Sequence, residues 1–205
     1  MNTFSISTLA IALLSSSAFA HSEHKLEHTF DVSAQQELMI NVPVGSLELV
    51  TYKGNQVKVS IELKAKNDSW FNDDVALEDI TLSHKQNNDK LSLAIDNDDV
   101  QQTWIVSMPT TMAIDLELGV GDIEVNDFAN SATIDVGVGA VQISSALDDY
   151  QSITLESGVG DTKISGMKNA PKHSRKIVSS ESEYKGNGQY KINIEVGVGD
   201  IKVKN

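Results

Sequence analysis

Four acidic residues recur at one position of a repeated phrase, and carboxylates are side chains that bind divalent cations or basic partners. They stand two residues before the first Gly of each copy: Glu117, Asp135, Glu156 and Glu195. If the copies stack, these carboxylates form an outward ladder with a spacing of about 5 Å, where neighbours repel by about 1 kcal/mol or less in solvent. Two interpretations stay open: a ladder that binds calcium or a basic partner, and a solvated face that keeps the protein soluble.

Histidines crowd the region after an apolar leader and form a second candidate metal site. Cleavage before His21 would leave a free amino group beside an imidazole, and His24 follows three residues later. An amino group with imidazole nitrogens is a chelating set that copper favours. The pair is therefore an alternative metal site, and no cofactor is predicted.

Catalytic chemistry has few candidate residues in this chain. There is no Cys, and His84 and His173 lie in polar, turn-like contexts. No Ser stands in the phrase that forms a nucleophile elbow. The sequence predicts a protein without enzymatic activity and without catalytic residues, and a carbohydrate-active β-helix enzyme remains the enzymatic alternative.

The elements that position these residues follow from four copies of a Gly-Val-Gly phrase. The copies read GVGDIEV at 119–125, GVGAVQI at 137–143, GVGDTKI at 158–164 and GVGDIKV at 197–203. Their first glycines fall 18, 21 and 39 residues apart. A period of about 20 residues is typical of stacked coils. A nucleotide-binding loop is excluded, because no third Gly follows at the required place and a strand pattern follows instead of a helix.

Each copy also switches the face of its apolar residues. Apolar side chains stand five, three and one residues before the first Gly in most copies, but four and six residues after it. A strand cannot exchange faces without a bend, so each copy is predicted to be strand, corner, strand. The Val between the two glycines is predicted to face the core. The predicted corner residues are Gly119, Gly121, Asp122, Gly137, Gly139, Gly158, Gly160, Asp161, Gly197, Gly199 and Asp200.

The spacing of the copies predicts how the coils stack. The interval of 39 residues contains a basic, turn-rich insertion at 166–190, interpreted as a degenerate coil or a protruding hairpin. Ala140 is predicted to hold Asp122 and Asp161 two layers apart. The final coil is predicted to form an open end of the stack, with Lys202 and Lys204 protecting the edge.

These patterns predict an all-β protein whose mature part is a single domain. The fold is expected to be a β-solenoid or β-helix-like stack of coils of about 20 residues, over 110–205. An N-terminal β lobe, about 28–109, is expected to cap one end.

The leader and the composition predict where the protein works. Residues 1–20 have a short apolar run and end in Ala18-Phe19-Ala20, as a secretory signal peptide does. The mature chain would be 21–205, with no integral membrane segment after cleavage. A formal net charge of −13 argues against nucleic acid as a partner. The protein is expected to be exported, either periplasmic or extracellular at the cell surface.

Taken together, the leader, the N-terminal strands VPVGSLELVTYKGNQVKVSIELK and the GVGDIxV repeats resemble a bacterial family of unknown function. Its members are named "putative adhesins", with Gly-rich β-strand repeats, and it is related to the auto-transporter adhesin head domain. The resemblance covers nearly all of 38–203 and implies a β-solenoid-like fold on the exported side of the membrane. It also implies an adhesin-like binding or structural module whose partner is a protein or glycan at the cell envelope. A carbohydrate-active enzyme and a periplasmic divalent-metal-binding protein remain the alternatives.

Overall fold

In the described part of the chain the regular secondary structure is almost entirely β-strand, which confirms the all-β prediction. The computed structural model describes residues 23–33, 36–65 and 76–205, where one 3₁₀ turn at Leu77–Asp79 accompanies the strands. The predicted signal peptide and His21 lie outside the described residues. In the part of the chain that the structure describes, no helix is long and apolar enough to cross a membrane.

The strands fall into an N-terminal group and a group that contains the repeats. The first group is β1 (Glu23–Asp31), β2 (Glu37–Tyr52), β3 (Gln56–Ala65), β4 (Ser83–Gln86), β5 (Lys90–Ala94) and β6 (Val100–Pro109). The second group begins with β7 (Ala113–Phe128), β8 (Ala132–Val138), β9 (Val141–Ser145), β10 (Ser152–Val159) and β11 (Thr162–Ser165). It ends with β12 (Lys172–Arg175), β13 (Ser180–Lys185), β14 (Lys191–Val198) and β15 (Ile201–Lys204).

Each repeat is a coil that consists of a leading strand, a corner and a trailing strand. Coil 1 is β7, coil 2 is β8 with β9, coil 3 is β10 with β11, and coil 4 is β14 with β15. In coil 1, Leu118 is buried before the corner and Ile123 is buried after it, so the buried face changes parity as the sequence indicates. The second Gly of each coil has a φ of +138° to +148°, a conformation that side-chain-bearing residues rarely adopt.

The coils stack in parallel, in the order 1, 2, 4, 3. β14 pairs with β8 on one side and β10 on the other, and β15 lies between β9 and β11. Coil 4, the last in the chain, is therefore internal, and the predicted open end with Lys202 and Lys204 at the edge is wrong. The reason lies in the insertion, in which the chain runs beyond coil 3 and then returns. The last segment of the chain therefore pairs between coils 2 and 3.

The N-terminal group supplies two further layers that the spacing of the GVG copies does not predict. β2 pairs in parallel with β7 from Glu37 to Val50, with Gly45 opposite Gly121 and Ser46 opposite Asp122. It is a fifth coil in which Pro43 stands at the position of the first Gly. Next to it, β5 and β6 pair in parallel with the two halves of β2, and the wide loop of 95–99 replaces the tight corner.

Antiparallel strands finish both ends of the stack. β4 extends the leading half beyond β5, while β3 and then β1 extend the trailing half beyond β6. At the other end, β13 pairs with β10 and β12 pairs with β13, so the insertion forms a hairpin rather than a coil. The described strands together form one open 15-stranded sheet that bends at the corners.

The inward side chains of the leading and trailing halves form a single apolar core. Leu116 and Val125 of coil 1 are fully buried in it, and their counterparts in the other coils are buried as well. The valines between the paired glycines do not join this core, and their predicted burial is wrong. Val120, Val138, Val159 and Val198 are 49%, 48%, 47% and 46% exposed. Each lies directly before the second Gly, where the bend takes it to the rim of the corner.

Candidate functional site

The four predicted acidic residues form one exposed row across the leading strands. Glu117 lies opposite Asp135, Asp135 opposite Glu195, and Glu195 opposite Glu156. We call this set the acidic row. Its members were predicted from the sequence, but their order follows the stack and not the chain.

The glycines that follow the acidic row make the coils pack unusually closely. A Cβ atom at Gly137 would lie 2.5 Å from the carbonyl oxygen of Gly119, and one at Gly197 would lie 2.6 Å from that of Gly137. Real Cβ atoms do not approach oxygen so closely, so only Gly fits here at this spacing. The first Gly of each copy therefore has a packing role, whereas the second also supplies the positive φ of the corner.

Because these glycines carry no side chains, they leave a groove on the outer surface. The groove has a volume of about 500 Å³, and Asn41 and Pro43 of β2 lie at one end. We call it the acidic groove. Its remaining polar and glycine lining is Glu117, Asp135, Glu195, Gly119, Gly137 and Gly197.

The carboxylates of the acidic row lack cationic partners. Among the described residues, no Lys or Arg nitrogen lies within 4.0 Å of any of the four. The amide of Asn41 donates a hydrogen bond to Glu117 Oε2 at 2.6 Å. Burial, followed by the charges of Glu195, Asp115 and Glu117, raises the pKa of Asp135. A cation in the groove would relieve this repulsion.

A line of exposed valines runs beside the acidic groove. In stack order it contains Val120, Val138, Val198 and Val159, which lie opposite one another in the parallel register. We call this line the valine ridge. Sequence reasoning missed it as a surface feature, because strand alternation places a residue after an outward Gly on the inside.

The corner aspartates connect successive coils through the backbone. Asp122 Oδ1 accepts a hydrogen bond from the N–H of Ala140 at 2.8 Å, and Asp200 Oδ1 accepts one from the N–H of Asp161 at 2.8 Å. Asp161 in turn accepts from Arg175 Nη1 at 2.9 Å. Asp200 and not Ala140 is the neighbour of Asp161, so the predicted separation by Ala140 does not describe this stack.

The hairpin of β12 and β13 continues the corner by one layer. Its two-residue loop is Ile177 and Val178, which is closed by a hydrogen bond from the N–H of Lys176 to the carbonyl of Ser179 at 2.9 Å. The N–H of Gly160 donates to the carbonyl of Val178 at 3.1 Å, as the corners do between coils. Ile177 is 97% exposed and Val178 is 54% exposed. We call Lys176, Ile177 and Val178 the hairpin tip.

Three histidines considered in the sequence lie on different strands, His24 on β1, His84 on β4 and His173 on β12. Within 23–33, 36–65 and 76–205 no three His, Asp or Glu side chains come together as a ligand set. His173 Nδ1 is 3.0 Å from the hydroxyl of Ser182, but that hydroxyl also contacts Thr162 Oγ1 at 2.8 Å and is nearly fully buried. The contact joins β12, β13 and β11 at the end of the stack.

Comparison with known proteins supports the fold. The chain resembles the crystal structure of a "putative cell adhesion protein" from Clostridium sporogenes, with a TM-score of 0.53, 15% identity, and coverage of 88% of this chain and 99% of that one. A "putative adhesin" from Bacteroides fragilis gives a TM-score of 0.35 at 15% identity over 89% of this chain and 98% of that chain. No family model and no curated protein sequence matches the chain. At 15% identity the likeness to the first of these proteins supports a shared overall fold and nothing further.

Proposed function

We propose that this protein is an exported β-solenoid-like binding module that acts at the cell envelope without enzymatic activity. The observation that carries the proposal is the acidic row above the acidic groove. Three carboxylates without cationic partners line a groove with a glycine floor, next to an exposed apolar ridge. Exposed, contiguous apolar residues bordered by polar ones are a feature of protein interaction sites.

The rigid position of this surface supports a role in binding. The three carboxylates of the groove lie on β7, β8 and β14, and each of these leading strands is paired on both sides. A surface held this way changes little on binding, which lowers the entropic cost of association. The fold shared with the Clostridium sporogenes protein agrees with an adhesin-like role.

The partner is proposed to be a protein or glycan of the envelope that presents positive charge. Carboxylates that face outward attract basic groups and repel anionic ones over a distance of about 8 Å at physiological salt. The predicted signal peptide at 1–20 supports delivery of the protein to this compartment.

Binding of the purified mature protein to isolated cell envelopes tests the proposal. The triple variant E117Q/D135N/E195Q removes three charges from the acidic row and should bind at least tenfold more weakly. The control E78Q/D79N/D89N changes the charge equally at exposed sites away from the groove and should bind normally. Equal binding by both variants would contradict the proposed site, and release of product from envelope glycans would contradict the absence of enzymatic activity.

A further inference from the structure

The hairpin tip breaks a local rule of sequence. Two-residue hairpin loops favour Gly, Asn, Asp and Ser, which adopt turn conformations easily and have no large apolar side chain to expose to solvent. Here the loop consists of two β-branched residues, Ile177 and Val178, and Ile177 is 97% exposed. Departures from local preference without a structural gain are expected where a residue serves a function.

The tip is also basic in an acidic protein. Lys176 precedes Ile177, and Lys172 and Arg175 are the first and last residues of β12. The chain as a whole carries a formal net charge of −13. The hairpin therefore presents a cation beside an exposed apolar side chain, which is the chemistry that the acidic groove and the valine ridge lack.

The chain itself contains a related arrangement at coil 3. Lys176 lines a recess of about 200 Å³ together with Glu156, the last member of the acidic row. The other three members, Glu117, Asp135 and Glu195, line the acidic groove, to which no basic residue of the described part of the chain contributes. Thus a basic side chain shares a recess with the carboxylate at the hairpin end of the row. The other three carboxylates share their groove with no basic residue of the described part of the chain.

We propose that the hairpin tip of one molecule docks in the acidic groove of a second copy of this chain. Ile177 would lie over the glycine floor against the valine ridge, and Lys176 would approach the carboxylates of the row. The inference rests on the proposed function, because it assigns a partner to the same groove. A tip of three residues buries little area, so each contact is weak, with a dissociation constant on the order of 0.1 mM. Many copies side by side on a surface would add their contacts.

Sedimentation equilibrium of the mature protein, up to about 1 mM, tests the contact. We expect association that increases with concentration and weakens several-fold in about 0.5 M salt, where the Debye length is about 4 Å. The tip variant K176Q/I177N and the row variant E117Q/D135N/E195Q should each remain monomeric. The matched control K53Q/I105N removes a cation and an exposed isoleucine elsewhere and should associate like the unaltered protein.

A mixture of the two variants distinguishes this contact from other forms of association. The row variant keeps its tip and the tip variant keeps its groove, so the mixture should form a complex that contains one of each. Failure of the mixture to associate, or association by either variant alone, would overturn the inference. A protein that stays monomeric at about 1 mM also overturns it, while loss of envelope binding by the row variant alone would leave the proposed function standing.

Discussion

The carboxylate of Asp122 accepts a hydrogen bond from the backbone N–H of Ala140, the residue at the equivalent corner position of the next coil. The same bond joins Asp200 to Asp161 at the far end of the stack. Between these two bonds, the methyl group of Ala140 cannot accept a hydrogen bond from the backbone N–H of Asp200. No other side chain in the described part of the chain accepts from that N–H. The line of corner bonds is therefore interrupted once, between coils 2 and 4.

Replacing Ala140 by Asn should close this interruption and stabilise the protein. The amide oxygen of Asn can accept from the Asp200 N–H, and one such hydrogen bond contributes roughly 0.5–1.5 kcal/mol. Ala140→Asp should gain less at low salt, since its charge would stand one layer from both Asp122 and Asp200, at about 5 Å. Urea unfolding at low and high salt measures the free energy of unfolding of both variants. No gain by the Asn variant, or a gap between Asn and Asp that salt does not narrow, would argue against the corner bonds as we describe them.

The two glycines of a corner should respond differently to substitution by Ala. In coil 2, a Cβ at Gly139 would lie 1.6 Å from the carbonyl oxygen of Gly121, and φ there is +148°. Gly137 has the milder conflict of 2.5 Å without a positive φ. We expect Gly137→Ala to cost about 1–3 kcal/mol and Gly139→Ala clearly more.

Gly54→Ala is the control for these glycine variants. The three atoms nearest to its Cβ all belong to the side chain of Tyr52 and not to backbone, so relief requires only that this ring shift, with its hydrogen bond to the Gln56 carbonyl. Unfolding free energies should therefore rank Gly54→Ala, Gly137→Ala and Gly139→Ala in order of increasing damage. Equal losses of stability for Gly137→Ala and Gly139→Ala would mean that the positive φ of Gly139 adds no cost to that of the close contact.

The strand–corner–strand unit could be predicted because it depends on local sequence. Alternation of buried residues, its reversal at the corner and the outward acidic positions all follow from side-chain periodicity and from Gly. The layer of β2 was missed because Pro43 and Ser46 replace the first Gly and the Asp, although its Gly45 and the alternation of Leu47 and Leu49 match the other copies. A search that required only the second Gly would have found it.

The order of the coils could not be predicted from the copies themselves. Coils with nearly the same inward residues can pair with one another in any sequence, since each offers the same ladder of backbone groups and similar apolar side chains. What decides the order is where the hairpin leads the chain. β13 packs on the outer side of β10, and the loop of 186–190 then crosses the start of β10 so that β14 enters between β8 and β10. The order of the coils therefore depends on contacts between residues that lie far apart in the sequence.

Engineered disulfides test the order directly, because the chain contains no Cys. Val138 lies opposite Val198, and Val198 lies opposite Val159. Adjacent layers are about 5 Å apart, within the Cα separation of a disulfide, whereas alternate layers are about 10 Å apart. The pair V138C/V198C should oxidise readily and V138C/V159C should stay reduced, as measured by thiol titration and mass spectrometry. The opposite pattern would mean that the coils stack in chain order.

Removing the charge of Asp135 should stabilise the protein in a way that depends on pH. Burial and neighbouring carboxylates raise its pKa in the folded state above the ordinary value of 3.8, so the native state holds its proton more tightly than the unfolded chain. Stability therefore falls as pH rises from 3.8 through the folded pKa, and the penalty is complete above it. Asp135→Asn should raise the free energy of unfolding at pH 7, with a gain that shrinks toward pH 3.5. Glu195→Gln should lower the pKa of Asp135, which NMR titration of the carboxyl carbon measures. A gain from Asp135→Asn that is the same at both pH values, with no change of that pKa, would show that the acidic row is not under repulsion.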